Sequence, residues 1–209
     1  MAITFPLSLP TVTGFMSIEL SAESAVAISR SPFSYKSQIQ VNQGRMWRAE
    51  VSLPIMERSK AEEWISFQLK LNGPEGTFFM GDPKGATARG SASSAPGTPV
   101  VKGGSQTGGT LIIDGLPAAT TGYFLAGDYF QLGTSASSRL YKVLDNTNAG
   151  STGDATIDIW PDLRSTPLDN AALVVSSPVT RWRLSRNVAT WSVDTAAFYG
   201  ITFSAEEAI

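Results

Sequence analysis

Cysteine and histidine are both absent from this chain of 209 residues. Without cysteine there is no disulfide, no thiolate nucleophile and no cysteine-ligated zinc or iron–sulfur site. Without histidine the commonest general base and the commonest transition-metal ligand are missing as well. These two absences exclude Ser-His-Asp hydrolysis and histidine-ligated metal chemistry. We therefore expect a protein with no catalytic residue, no bound metal and no cofactor, which is not an enzyme.

Charged residues and long apolar runs are also scarce. Charged residues make up 16% of the chain and give a net charge of −2. The basic residues are scattered, whereas binding to phosphate backbones needs a concentrated basic surface, so we expect no specific nucleic-acid binding. No apolar run approaches membrane-spanning length, and the amino-terminal segment lacks the basic start of a signal peptide. We therefore expect no membrane insertion and synthesis in the cytoplasm.

The composition that remains favours strands joined by turns, with 19 glycines, 12 prolines and an apolar fraction of 42%. Apolar and polar residues alternate over residues 35–41 and again over residues 45–53. An alternation of period two is typical of half-buried strands. Asn42, Gln43 and Gly44 lie between the two segments and predict the turn of a hairpin.

A helix is predicted after Pro54. Residues 59–62 read Ser-Lys-Ala-Glu, which is the pattern of a capping box, and Asn72 and Gly73 stop the helix. The apolar residues form a broad face, which predicts a helix packed deeply on a sheet. The residues of this predicted face are Ala61, Trp64, Ile65, Phe67, Leu69 and Leu71.

The middle of the chain differs in composition from both ends. Residues 81–109 contain no aromatic residue and are rich in glycine, alanine, serine, threonine and proline, so we expect a linker over residues 86–104. Short apolar segments at regular spacing then predict a small antiparallel barrel or sandwich over residues 105–177. These segments are 110–113, 128–132, 140–144, 155–160 and 172–175.

The last thirty residues return to long alternating segments around Trp182, Trp191 and Ile201. They resemble the first strands of the chain more than the middle ones. The sequence therefore predicts a mainly β fold: a discontinuous domain of residues 1–85 and 179–209 with one packed α-helix, and a small antiparallel β-barrel inserted over residues 105–177. Domain insertions favour exposed turns of the kind found at these boundaries.

Three segments partly match the motifs of calcium, phosphate or dinucleotide sites, but none matches completely. Residues 145–150 place Asp and Gly at the first and sixth positions of a calcium loop, but positions three, five and twelve lack suitable ligands. The glycine-rich segments 81–85 and 102–109 do not match a phosphate loop or a dinucleotide fingerprint. We therefore interpret all three segments as turns or connectors.

Carboxylate pairs are all that glycoside hydrolysis requires. The candidates are Asp114, Asp128, Asp154, Asp158 and Asp162, and all lie at predicted strand ends or turns. There an aspartate normally caps a turn, which is the interpretation that we favour. Among the tryptophans, Trp47, Trp64, Trp182 and Trp191 lie on apolar strand or helix faces, which predicts core positions. Trp160 lies on the opposite side from its apolar neighbours and is the best candidate for an exposed contact residue.

Several segments together resemble tail-tip proteins of long-tailed bacteriophages (siphophages), and in overall design the chain is most similar to the distal tail protein family. The resemblance covers most of the chain, and its motifs are structural rather than catalytic. It is carried by residues 44–54, Glu63-Trp64, 71–73, 75–78, 81–83, 125–132, 139–143, 155–161, 191–194 and 199–203.

The resemblance implies a virion structural protein of the tail tip, or baseplate, that takes part in host attachment. The discontinuous domain would be a β-sandwich belt domain that forms a ring, expected to be hexameric, around the tail channel. The inserted domain would be galectin-like or barrel-like and face outward. The implied partners are further copies of the chain, the tail tube protein, and the hub and fibre proteins. The mild acidity suits a conduit that should not bind its DNA.

Two other functions remain open. A carbohydrate- or receptor-binding module would act through the middle domain, with an aromatic groove around Trp160 and Tyr129. A tail terminator or head–tail connector would have a single compact domain. For the favoured ring, the polar strand faces predict one contact surface between subunits. Its residues are Lys36, Gln38, Gln40, Arg48 and Glu50.

Overall fold

The computed structural model describes residues 3–209, which form one α-helix and twelve strands. In chain order these are β1 (Ser17–Arg30), β2 (Ser37–Ser52), α1 (Arg58–Leu71), β3 (Phe78–Met80), β4 (Val100–Val101), β5 (Thr110–Asp114), β6 (Tyr129–Leu132), β7 (Arg139–Val143), β8 (Ala155–Trp160), β9 (Leu173–Val174), β10 (Thr180–Leu184), β11 (Trp191–Val193) and β12 (Tyr199–Glu207). Two short 3₁₀ helices cover Ser91–Ser93 and Ser135–Ser137. The predicted fold class, mainly β with one helix and a small barrel-like sheet, is confirmed.

The first sheet combines strands from both ends of the chain. Its order is β1-β2-β12-β10-β3, and β11 pairs with β12 beside this path. Ala49 of β2 lies opposite Ala205 of β12, and Trp182 of β10 lies opposite Phe78 of β3. Strands near the beginning of the chain therefore share one sheet and one hydrophobic core with strands near its end.

Helix α1 packs its apolar face on this sheet. The Trp64 ring is fully buried, lies 6.1 Å from the ring of Phe203 in β12, and donates a hydrogen bond from Nε1 to Thr13 Oγ1 at 3.1 Å. The predicted face is wrong at Leu69, whose surface is 59% exposed. Gln68 is buried in that part of the helix instead.

The two ends of α1 differ in how well the sequence predicts them. Glu57 is the N-cap residue and its side chain makes no capping hydrogen bond, so the capping box predicted at residues 59–62 is wrong. Ser59 lies inside the first turn, where its hydroxyl has no cap role. The predicted stop is correct: Asn72 adopts a left-handed conformation with φ 51°, and Gly73 follows with φ 67°.

The second sheet is an antiparallel, nearly closed barrel of order β4-β5-β8-β7-β6-β9. Its two edges meet where Val101 donates to the carbonyl of Ala171 and Asn170 donates to the carbonyl of Val101, both at 2.9 Å. Aromatic side chains fill the interior, with the stacked rings of Phe130 and Tyr141 5.5 Å apart. All five segments predicted as strands in this region coincide with a strand.

The segment 86–104, predicted to be a linker, is packed against this barrel instead. Ala88, Ala92 and Val101 are buried in the second core, and β4 pairs with β5. Small residues are suited to this position because they let the backbone approach the barrel closely. The absence of aromatic residues, which suggested a linker, therefore reflects close packing.

The chain passes between the two sheets at one narrow place. Ser177 donates a hydrogen bond to the carbonyl of Ala86 at 2.7 Å, so the outgoing and returning segments are tied together. A Cβ atom on Gly81 would lie 2.2 Å from the carbonyl oxygen of Pro178, so only glycine permits this approach.

Candidate interaction surface

Strands β1 and β2 form one long antiparallel hairpin, and its outer half extends away from both cores. The hairpin is closed by two backbone hydrogen bonds of 2.9 Å, from Ser31 to the carbonyl of Lys36 and from Tyr35 to that of Ser31. The turn predicted at residues 42–44 is wrong, because β2 continues through them. We call residues 24–44 the arm; all of them are exposed except Ser31, which is half-buried.

The arm begins where the register of the hairpin changes. Ser24 pairs with Arg45, but Val26 pairs with Val41, so β2 contains two more residues than β1 over this stretch. Irregularities of this kind bend a strand pair and increase its local twist. Because the extra residues lie in β2, the alternation of side chains along β1 is unbroken, and the face that carries Ile18 and Leu20 near the core continues into the arm.

One face of the arm is apolar. Val26 lies opposite Val41, and Ile28 lies opposite Ile39, so all four β-branched side chains point to the same side. Their exposed fractions range from 45% to 66%. We call these four residues the apolar stripe. Residues 35–41 were predicted to bury Tyr35, Ile39 and Val41, and this is wrong because nothing in residues 3–209 covers them.

The other face of the arm is polar and carries part of the contact surface predicted from sequence. Gln38 and Gln40 lie opposite Ser29 and Ala27, and Lys36 lies beside the turn. Arg48 and Glu50 continue on β2 nearer the body and are also exposed. Arg48 is paired with Glu23 at 2.7 Å, and Glu50 accepts a hydrogen bond from Ser204 at 2.6 Å. The five predicted residues thus all lie on the surface.

A second uncovered apolar surface lies at the inner end of the same hairpin. Met16, Ile55 and Trp191 are between 44% and 71% exposed and line a groove of about 360 Å³, with Leu53 and Ile201 in its floor. We call it the base groove. Trp191 was predicted to be a core residue, and this is wrong because β11 has only three residues, pairs only with β12, and is exposed along its whole length.

Trp160 is half-buried rather than an exposed contact residue. Its ring lies edge-on to Trp47, with centroids 4.3 Å apart, and Tyr129 is buried beside the same tryptophan. Trp47 donates a hydrogen bond from Nε1 to the carbonyl of Leu140 in the barrel at 3.1 Å. These aromatic residues therefore join the two sheets, and Tyr129, which the predicted aromatic groove requires at the surface, is buried there.

A buried ion pair joins the two sheets next to this aromatic cluster. Arg164 Nη2 lies 2.5 Å from Glu207 Oε2, and the Glu207 side chain is completely buried. The backbone N–H of Trp47 also faces this carboxylate, at 3.5 Å. A second, more exposed pair, Arg45 with Asp162 at 2.6 Å, lies where the hairpin contacts the barrel. The two sheets are thus joined by specific polar contacts as well as by apolar packing.

Three of the five aspartates that are glycosidase candidates hold structural partners. Asp128 accepts hydrogen bonds from the backbone N–H groups of Arg89, Gly90 and Leu125 at 2.9 to 3.2 Å. Asp154 accepts from Thr152 and Lys102, and these bonds lower its pKa to about 2. Asp162 pairs with Arg45, while Asp114 is half-buried and Asp158 exposed.

Residues 3–209 contain no group of three or more carboxylate, histidine or cysteine residues that could hold a metal ion. The loop 145–150 is tied to the barrel by a bridge between Thr147 and Phe124, consistent with a polar turn. Within the same residues, no helix has the length and apolar character needed to cross a membrane.

Comparison with known proteins assigns no family: the chain matches no protein-family model and no curated protein. The functional interpretation therefore depends on the surface itself. Its main features are the apolar stripe on the arm and the base groove, and sequence patterns alone missed both. Ile39, Val41 and Trp191 lie on alternating segments that predict burial, and only the positions of the neighbouring elements show that they are uncovered.

Proposed function

We propose that the chain is a structural subunit of a phage tail tip, which forms a ring that joins the tail tube to the hub and fibres around the DNA channel. The sequence resemblance to distal tail proteins supports the location. The structural observation that carries the assembly part of the proposal is the arm, whose apolar stripe is uncovered in the single chain.

An uncovered arm is unfavourable for a protein that works as a monomer. A two-stranded hairpin is at best marginally stable alone in water. A long exposed edge strand with apolar side chains also offers a template for another chain, which soluble monomers usually avoid with charges, prolines or bulges. β1 is such an edge strand over 14 residues. Burial of the apolar stripe against another subunit would stabilise the hairpin and remove its apolar side chains from water.

The architecture suits a structural subunit whose two sheets are held in a defined orientation, rather than an enzyme. The two sheets are connected through Trp47, Tyr129 and Trp160 and through the buried pair of Arg164 and Glu207. Such contacts hold an inserted unit in a defined orientation relative to a ring. The net charge of −2 favours passage of DNA over adhesion to it. Tyr129 is buried and Trp160 is half-buried against Trp47, which disfavours a sugar-binding module that would act through these two rings.

A density map of the intact particle tests this proposal. We expect a ring of this chain on the tail axis, between the tube and the hub, with the barrel on its outer side. A map with the chain at a fibre tip or in the head would contradict the proposed function.

A further inference from the structure

From the two uncovered surfaces we infer that the arm of one copy lies with its apolar stripe in the base groove of a neighbouring copy. This inference rests on the proposed function in one respect, because both require copies of the chain to assemble. It adds the contact by which they do so, and it places that contact on the apolar face of the arm in place of the polar face of Gln38 and Gln40 that the sequence predicted.

The stripe and the groove match in chemistry. The stripe offers four β-branched side chains on one face, and the groove offers a concave surface with the side chains of Met16, Ile55 and Trp191 at its rim. Apolar patches of this kind on a soluble protein mark contact sites. If a partner covered only the apolar stripe, the base groove would remain in contact with water, and the reverse would hold for a partner that covered only the groove.

The two surfaces cannot meet within one chain. The base groove lies beside Ser52, at the inner end of the hairpin where Ser17 and Ser52 pair. The stripe lies on the arm, and Val41 is eleven residues away from Ser52 along β2, about 36 Å in an extended strand. The arm points away from its own groove, so the groove that it reaches belongs to another copy.

Charge favours the same arrangement. The arm contains Arg30 and Lys36 and no carboxylate, so it carries +2, and because the whole chain carries −2 the rest of it carries −4. An arm is therefore attracted to the body of a neighbour, whereas two arms repel each other. This disfavours a symmetric dimer in which arms pair. A head-to-tail contact between two different surfaces can continue from copy to copy and close into a ring.

The absence of cysteine allows a direct test by disulfide cross-linking. Val41→Cys in the stripe and Ile55→Cys in the groove each introduce the single thiol of a chain. We expect the two variants, mixed and oxidised at high concentration, to form a disulfide-linked pair between unlike copies. Gln40→Cys is the matched control, since it lies next to Val41 but on the polar face, and we expect about tenfold less cross-linking to Ile55→Cys.

Other outcomes overturn the inference. It fails if Val41→Cys and Ile55→Cys do not link, if Gln40→Cys links equally well, or if Val41→Cys links mainly to itself. As a second measurement, Ile39→Glu should weaken self-association at least about tenfold, because it would place an unpaired charge in the groove. Gln38→Glu on the polar face should leave self-association within a few-fold of the unaltered chain, and an equal loss in both variants contradicts the inference.

The two proposals can fail separately. A ring on the tail axis in which the arm contacts another surface sustains the proposed function and overturns the inferred contact. Cross-linking from stripe to groove in a protein that is absent from the tail does the reverse.

Discussion

Glu207 carries a charge in a place that water does not reach, and its counterion Arg164 comes from the loop that follows β8 of the barrel. Ion pairs of this kind add little net stability over apolar residues, but removal of one partner is costly because a buried charge is left without compensation. The carboxylate faces both Arg164 and the backbone N–H of Trp47. Its main contribution is therefore to define how the barrel sits against the first sheet.

Arg164→Met should lower the free energy of unfolding by about 3–5 kcal/mol, because Glu207 then lacks its counterion. The double variant Arg164→Met with Glu207→Gln should recover part of this loss, since it leaves no charge uncompensated. Denaturant unfolding measures both values. Arg186→Met, at an exposed arginine, is the control and should change little. Equal losses in the single and double variants would argue against a coupled pair.

Asp154 is a second residue whose charge depends on its neighbours. Hydrogen bonds from Thr152 and then Lys102 hold its pKa at about 2, below the ordinary value of 3.8. Because the folded-state pKa is lowered, its contribution to stability is present above about pH 4 and is lost as the pH falls towards 2. In an NMR titration we expect a midpoint near 2 for this carboxyl group. Lys102→Ala should move the midpoint upward, and an unchanged midpoint would contradict the assigned cause.

At the scale of single elements, α1 shows how a pattern can predict a helix and misplace one of its residues. Leu69 and Leu71 both belong to the apolar set, yet Leu71 is fully buried and Leu69 is mostly exposed. The sheet contacts only part of the broad apolar face. Which part it contacts depends on the angle at which the helix crosses the sheet.

Leu71→Ala should destabilise the protein by about 2–5 kcal/mol, as expected for a buried leucine that leaves a cavity. Leu69→Ala, two residues earlier on the same helix, should cost less than about 1 kcal/mol. The two variants remove the same atoms, so their difference in denaturant midpoint measures burial alone. Similar losses at both positions would mean that the helix packs differently.

At the scale of the whole molecule, the arm is separate from what holds the chain together. Neither hydrophobic core contains a residue of the arm. Folding of the body and assembly of copies should therefore depend on different residues. This is the expected arrangement if the arm belongs energetically to a neighbouring subunit.

Replacement of residues 27–40 by Asn-Gly, a two-residue hairpin turn that retains the pair of Val26 and Val41, tests this separation. We expect a melting temperature within a few degrees of the full chain, and loss of self-association in sedimentation. Circular dichroism verifies that the body is folded. Assembly that persists without the arm would contradict its proposed role.

By itself, the sequence determined the mainly β class, the helix and its carboxyl end, and five of the six strands of the barrel, all except β4. These features follow from local periodicity and turn chemistry, which are properties of short segments. It also determined the absence of thiol and imidazole chemistry, since that depends on composition alone.

Only the tertiary structure decided which apolar faces are covered. Ile39, Val41 and Trp191 lie on alternating segments like that of Phe203, yet they are exposed while Phe203 is buried. An alternating pattern predicts that a strand has an apolar face. Whether that face is buried depends on another element that packs against it, and the position of that element depends on distant parts of the chain. The same holds for Trp160. Its local pattern predicts an exposed side chain, but it packs against Trp47, which lies in a distant part of the chain.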